Sequence, residues 1–343
     1  MLDLEDGVFM DQVEELVEGK RWAQLRDMLL LLEPADIALI LDKLPEDRLP
    51  LLYRLLPKET AAEVFVEMDP DVQELLIKTF SDTELKEVLD ELYVDDTVDL
   101  IEEMPASVVK RILKHTDPET RKSVNEILKY PEDSAGSIMT TEFVDLKRDM
   151  TVEDAFKRIR RTGIDKETIN ICYVTDPSRH LLGLVSIRTL LLAEEDEAIE
   201  DIMETNVIFA TTLEDKEDVA QQLSKYDFLA MPVVDKESRL VGIVTIDDAI
   251  DVMEEEATED FEKMAAIVPS ERPYLRTGVF TLAKNRIVWL LVLMVSGMIT
   301  GGILGRYEAA FAAMPLLVTF IPMLTDTGGN AGSQSSTLVI RGM

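Results

Sequence analysis

The sequence predicts a multidomain protein: an all-α superhelical N-terminal domain, a tandem α/β pair, a long acidic connecting helix and α-helical transmembrane segments. Three observations carry this. Proline-marked breaks recur about every twelve residues in the first third, a strand–helix–strand–strand–helix pattern occurs twice in register, and an eighteen-residue run near the far end holds no charge. A chain of 343 residues is long enough for several folding units.

In the first region, expected over 1–130, the breaks fall at Glu33-Pro34, Leu44-Pro45, Leu56-Pro57, Asp69-Pro70, Phe80-Ser81, Met104-Pro105 and Asp117-Pro118. Between them lie short amphipathic runs such as ETAAEVFVEM and DTELKEVLDEL. Proline fits the first turn of a helix and ends the one before it, and Asp or Ser caps an N-terminus. The expected result is a stack of one-helix units paired as hairpins and wound into a superhelix.

After Tyr130-Pro131 the texture changes. SIMTTEFVDLKRDMTVEDAFKRI, from Ser137, matches DIMETNVIFATTLEDKEDVAQQL, from Asp201. YVTDPSRHLLGLVSIRTLL likewise matches VVDKESRLVGIVTIDDAI, and the first copy carries a few extra residues around 163–168. An I-M-x opening followed by a G-h-h-[ST] strand that runs into a helix resembles a tandem pair of CBS modules, expected at 131–200 and 201–252. The resemblance implies a pseudo-twofold pair that binds ATP or another adenine nucleotide, with ribose held at an [ST]-x-x-D turn. The second copy has that turn at Thr245-Ile-Asp-Asp248, whereas the first reads Ser186-Ile-Arg-Thr189 and lacks the aspartate. Arg188, Thr245 and Asp248 are the expected nucleotide contacts.

The connecting helix, expected over 248–268, places Asp248, Asp251, Glu255, Glu259 and Glu262 on one face and Ala249, Met253, Ala257, Phe261 and Met264 on another. Such a helix reads either as a connector with a solvated charged face or as one that needs a counter-cation, because stacked like charges destabilise it. The chain holds 68 acidic and 35 basic residues, a net charge of −33, which repels nucleic acid and reads either as a cation-attracting surface or as an ordinary solvated acidic one. The start, MLDLEDGVFMDQ, is not expected to be a signal peptide. Cys172, in an apolar run, reads as a buried thiol, and two histidines with one cysteine cannot assemble a Cys/His zinc site. No P-loop, no Ser/His or Cys/His arrangement and no glycine-rich nucleotide loop is evident, so no enzyme activity is expected.

A partial transmembrane domain is expected over 272–343. Its first span, 287–305, follows Arg272, Arg276, Lys284 and Arg286, which places the N-terminal domains in the cytoplasm. The second span, 312–340, has prolines at 315 and 322 where it could bend. It contains TDTGGNAGSQSS, too polar to face lipid unless it lines a bundle interior or a water-filled path. Asn330, Ser333 and Gln334 are the candidate pore contacts. Asp326 reads either as an intramembrane carboxylate or as a cation-attracting group at the water boundary.

GGNAGSQ inside a span, behind a CBS-like pair and an acidic helical stack, resembles the MgtE family of magnesium channels. That resemblance implies a multi-pass homodimer in the bacterial inner membrane, closed by cytosolic Mg2+ bound between its domains. It carries over as ligands Glu63, Asp95 and Asp99 from the helical domain, and Asp215, Glu217 and Asp227 from the second CBS copy. Asp248, Asp251, Glu256 and Glu259 follow from the connecting helix. The family has five spans with an essential pore aspartate in the last. The two spans here are therefore expected not to form the whole pore. The other reading of the same motifs is a membrane-anchored adenylate sensor that regulates a partner and has no pore of its own.

Overall fold

The computed structural model describes residues 7–265, 267–268 and 277–341. Its contacts divide it into two compact units, Met1–Ala249 and Ile250–Met343.

The first unit opens with ten helices. They are α1 (Gly7–Glu18), α2 (Trp22–Leu29), α3 (Pro34–Asp42), α4 (Leu49–Tyr53), α5 (Lys58–Val66), α6 (Pro70–Thr79), α7 (Asp82–Leu89), α8 (Val94–Glu103), α9 (Ala106–His115) and α10 (Pro118–Ile127). The punctuation in the sequence acts as expected. Proline occupies the first turn of α3, α4, α6 and α10, where its missing N–H costs nothing. Ser81 and Glu84 close a capping box on α7. Helices pack on the next but one: α3 on α5, α5 on α7 and α7 on α9, with α4 against α6 and α8 against α10. One helix of this length cannot bury its apolar stripe alone, so each neighbour completes it. Tyr53, Phe65 and Phe80 form a ring cluster with centroids 5.4 to 6.4 Å apart, and Tyr53 Oη donates to the Ala61 carbonyl at 2.6 Å.

Two small sheets follow. In the first, β1 (Val144–Lys147) runs parallel to β2 (Ile171–Thr175), which is antiparallel to β3 (Leu181–Ser186). In the second, β4 (Ala210–Thr211), β5 (Ala230–Val234) and β6 (Leu240–Thr245) repeat this order. Each hairpin has its register shift at the equivalent place, Val174/Thr175 and Val233/Val234. In the first copy α11 (Val152–Thr162) and α12 (Ile187–Leu192) flank the sheet, with α13 (Ile199–Ile202) leading to the second copy. There, α14 (Lys216–Tyr226) and α15 (Ile246–Met264) take the matching places. Val144, Leu146, Cys172, Val174, Val152, Ala155 and Ile159 fill the first core, with the Cys172 thiol fully buried and pushed up to about 12 by burial.

The recurring motif residues have a shared cause that the sequence pattern did not reveal: each copy's leader pairs with the other copy's last strand. Thr140 bridges to Ile243, and Glu204 bridges to Leu184. A Cβ on Gly242 would lie 2.6 Å from Met139 Sδ and 2.8 Å from the Thr140 oxygen, and one on Gly183 would lie 2.7 Å from the Glu204 oxygen. The methionine of I-M-x thus covers the glycine of G-h-h-[ST] in the opposite copy. Tyr173, Ala230, Leu240 and Ile243 form the core between the copies.

In the second unit α16 (Val279–Arg306) is, among the described residues, the one helix long and apolar enough to cross a membrane. Lys284 and Arg286 lie in its first turns, while Arg272 and Arg276 fall outside the described residues. The second expected span differs in detail. The run breaks at Met314-Pro315, so that α17 (Glu308–Ala313) ends there and α18 (Leu316–Arg341) begins. A residue before proline is biased away from helical geometry, and Met314 takes that course at φ −135° and ψ 75°. Pro322 is carried inside α18 without ending it.

The leader contact yields a stability prediction. Gly242→Ala should lower the thermal midpoint, with a loss of about 1–3 kcal/mol typical of overpacking against backbone. An unchanged midpoint would show that the leader does not press on this strand.

Candidate functional site

The site begins at the N-terminus of α8, whose first turn carries Asp95 and Asp96. Tyr93 N–H donates to Asp96 at 3.3 Å, and Val94 N–H donates to Glu142 Oε2 at 2.9 Å. Glu142 belongs to the leader of the first CBS-like copy, so a carboxylate from one domain caps a helix of another. A helix N-terminus favours such an anion. Asp95 is only 7 % exposed. Opposite lies the start of α15, with Asp247 and Asp248 in its first turn and Thr245 Oγ1 donating to Asp248 Oδ2 at 2.5 Å. The loop after α11 adds Glu167, whose Oε2 is buried and has no hydrogen-bond partner among the described residues.

These carboxylates shift one another in a consistent direction. Burial, then Asp248, raises Asp95 well above the ordinary carboxylate range. Burial raises Asp96 to about 6, against the opposing Tyr93 hydrogen bond. Asp99 keeps an accessible surface, yet enough protein surrounds it that burial and Asp248 push it to about 8. Glu167 also reaches about 8, through burial and the charges of Asp96, Asp247, Asp248 and Glu142. Asp248 rises to about 7 by burial, with the Thr245 hydrogen bond opposing. No lysine or arginine among the described residues forms an ion pair with Asp95, Asp96, Asp99, Glu167 or Asp248. Lys166 offsets Glu142.

The donor set is all oxygen, negative and short of counter-charge, which suits a hard divalent cation. Among the described residues no three of these groups gather tightly enough to hold an ion by protein ligands alone. A cation that keeps most of its water shell fits the spacing better than a fully dehydrated one.

Of the residues expected from sequence, Asp95, Asp99 and Asp248 come together here. Asp96, Glu142, Glu167 and Asp247 join them without having been singled out. Glu167 lies in the insertion that the first copy has and the second lacks, a signal the sequence did contain. Glu63 stands exposed on α5, and it is Glu67, one turn on, whose charge reaches Asp96. Asp215, Glu217 and Asp227 are exposed at the two ends of α14, away from the cluster; Asp215 caps the helix by accepting Glu217 N–H at 2.9 Å, and Asp227 takes the left-handed C-cap at φ 54°. Asp251, Glu256 and Glu259 lie further along α15, where Glu259 pairs with Lys263 at 2.9 Å. Arg188 is exposed, and the Ser186 and Thr189 hydroxyls are 2.8 Å apart where the second copy has Thr245 and Asp248. On α18, Asp326, Asn330, Ser333 and Gln334 recur at helical spacing along one side, and Asn330 Nδ2 donates to Asp326 at 3.4 Å.

Residues 32–133 match the family described as MgtE intracellular N domain, and 135–196 and 199–255 each match the CBS domain. The chain is 39 % identical to the magnesium transporter MgtE of Thermus thermophilus, over 99 % of the chain and 76 % of that protein. It is 35 % identical to the Bacillus subtilis magnesium transporter MgtE, over 96 % of the chain and 72 % of that protein. Among solved structures it resembles the cytosolic domain of the Mg2+ channel MgtE in complex with ATP. There the identity is 37 %, the TM-score 0.67, and the match covers 71 % of this chain and 99 % of that one. The soluble part of a magnesium transporter matches at 32 % identity and TM-score 0.67, over 74 % and 100 %.

Carboxyls raised in the folded state bind more protons there than in the unfolded chain, so stability is greatest at low pH and falls as pH rises through the raised values. Without divalent cations, the thermal midpoint should fall between about pH 5 and pH 8, the span set by Asp96, Asp248, Asp99 and Glu167. Asp95→Asn should flatten this slope, and a midpoint that rises over the interval would contradict the assignment.

Proposed function

The chain belongs to the MgtE family of magnesium transporters, and from that premise we propose that it is a subunit of a Mg2+ channel closed by cytosolic Mg2+. The observation that carries the proposal is the meeting of Asp95, Asp96 and Asp99 with Glu167 and Asp248. Burial and like charges raise each of them, and none is ion-paired with a basic side chain among the described residues. Two carboxylates ~6 Å apart at an effective dielectric near ~20 repel by roughly 3 kcal/mol. Several such contacts are enough to bias a two-state gate, which needs about 5.5 kcal/mol to swing from one side to the other.

When Mg2+ is scarce, the fraction of the cluster that loses its protons near neutral pH drives α8 away from the start of α15. When Mg2+ is plentiful, hydrated ions cancel the repulsion and hold the helical domain against the CBS pair. Asp247 and Asp248 belong to the same helix as Asp251, Glu256 and Glu259, so movement at the cluster is passed along α15. In the proposed homodimer two such helices draw together and close the path between membrane domains. Glu63, Asp215, Glu217 and Asp227, at the surface, serve where another acidic face comes against them. Asp326, Asn330, Ser333 and Gln334 contact the hydrated ion in the pore. The N-terminal domains lie in the cytoplasm and α16 and α18 in the inner membrane.

An adenine nucleotide is the second proposed ligand, at the helix-leading turns of the CBS pair. Asp248 at the second turn stands among like charges, which repel phosphate unless Mg2+ accompanies it. The first turn, with Ser186 and Arg188, is the better receiver of a phosphate and lacks only the ribose-binding carboxylate. The pore-less adenylate sensor accounts less well for the polar stripe on α18.

Hydrogen exchange tests the sensing step. Millimolar Mg2+ should slow exchange across α8 and the first turn of α15 by about tenfold. The Asp95→Asn/Asp99→Asn variant should lose that protection. Exchange that does not change at saturating Mg2+ would remove the sensor assignment.

A further inference from the structure

At the exposed edge of β1 lies a cavity of about 400 Å³, lined among others by Thr141, Phe143, Arg158, Lys166 and Arg179, with Leu240 from the second copy. That volume suits a small organic ligand. Its electrostatics run against the rest of the molecule. The one carboxylate in the lining, Asp145, is already satisfied: Arg158 Nε donates to its carbonyl at 2.6 Å, the Arg158 guanidinium grips its side chain, and Lys147 Nζ stands 3.1 Å away. Lys166 and Arg179 face the same space, and neither forms an ion pair or side-chain hydrogen bond among the described residues. In a chain of net charge −33, three cations line this space beside one neutralised acid.

Arg179 is also held in place. Asp176 Oδ1 accepts the N–H groups of Ser178 at 2.7 Å and His180 at 2.9 Å, and the Arg179 carbonyl accepts Leu240 N–H at 2.9 Å. Its φ of 70° is left-handed, and the same turn position in the second copy is Ser238 at φ 61°. The turn therefore does not itself call for an arginine. Phe143 and Leu240 supply an apolar wall beside the cations, and Thr141 and Thr175 supply hydroxyls.

We propose that this cavity binds a small organic phosphate, with the phosphate among Arg179, Lys166 and Arg158 and the organic part against Phe143 and Leu240. Charge-assisted hydrogen bonds to phosphate are the interaction that arginine forks make best. Neither the Thr245–Asp248 turn nor the Ser186–Arg188 turn lines the cavity, so it is separate from both nucleotide turns; Lys166 reaches both this space and the carboxylate cluster, where it offsets Glu142.

The test is calorimetric titration of the whole chain in detergent, free of divalent cations, with AMP and with ribose 5-phosphate as probes. At least one probe should bind saturably. Arg179→Ala and Lys166→Met should each weaken that binding about tenfold, while Arg161→Ala, exposed on the same helix as Arg158, should not. Thermal midpoints of the variants show that each remains folded. Two outcomes overturn the proposal: no saturable binding of either probe below about 10 mM, or binding that survives Arg179→Ala and is lost in Arg188→Ala.

Discussion

Carboxylates from three parts of the chain converge around the buried Asp95, and the arrangement of the helical domain on the CBS pair turns on that. None of Asp95, Asp96, Asp99, Glu167 and Asp248 is ion-paired with a basic side chain among the described residues. Unpaired buried charge is among the most costly arrangements a protein can hold. It persists only if protons or cations occupy it. Burial and neighbouring carboxylates raise Asp99 and Glu167 to about 8 and Asp248 to about 7, so protons occupy it only in part near neutral pH. A divalent ion can do so strongly and reversibly. The cluster is therefore a weak point in stability placed where a ligand can strengthen it.

The fold brings these groups together by three separate devices. The proline-punctuated helices give α8 a rigid base, with Val94, Val98 and Ile101 buried and its acidic first turn directed at the neighbouring domain. The crossed leaders of the CBS pair hold Thr140 against Ile243, which fixes Glu142 at the α8 N-terminus. The end of β6 runs straight into α15, so the Thr245 cap and Asp248 are one structural unit. α15 runs unbroken from Asp247 and Asp248 to Met264, so the gate we propose passes a shift at the cluster along this one helix.

Much of this was legible in the sequence, and the failures have physical reasons. Helix punctuation, the tandem copies and the apolar span are local patterns, and local patterns survive without tertiary knowledge. The crossed pairing of Met139 with Gly242 was visible only as a repeated motif, since its cause spans about a hundred residues. Asp95, Asp99 and Asp248 were found through family resemblance. Asp96 and Glu142 were missed because desolvation by a neighbouring domain leaves no mark on residue order, and Glu167 was missed although the insertion that carries it was visible. Glu63, Asp215, Glu217 and Asp227 were expected beside them and lie instead on open surface within the chain. The Pro315 break was misread as a bend, although Met314-Pro315 states the restriction plainly.

The most direct test of the account counts protons. If protons hold the buried carboxylates until Mg2+ replaces them, adding Mg2+ to the chain in weak buffer at neutral pH must release protons. The release should fade toward about pH 9, above the raised values of Asp99 and Glu167. Asp95→Asn together with Asp99→Asn should diminish it. Mg2+ binding that leaves the proton count unchanged at neutral pH would contradict the claim that these carboxylates share the site with the ion.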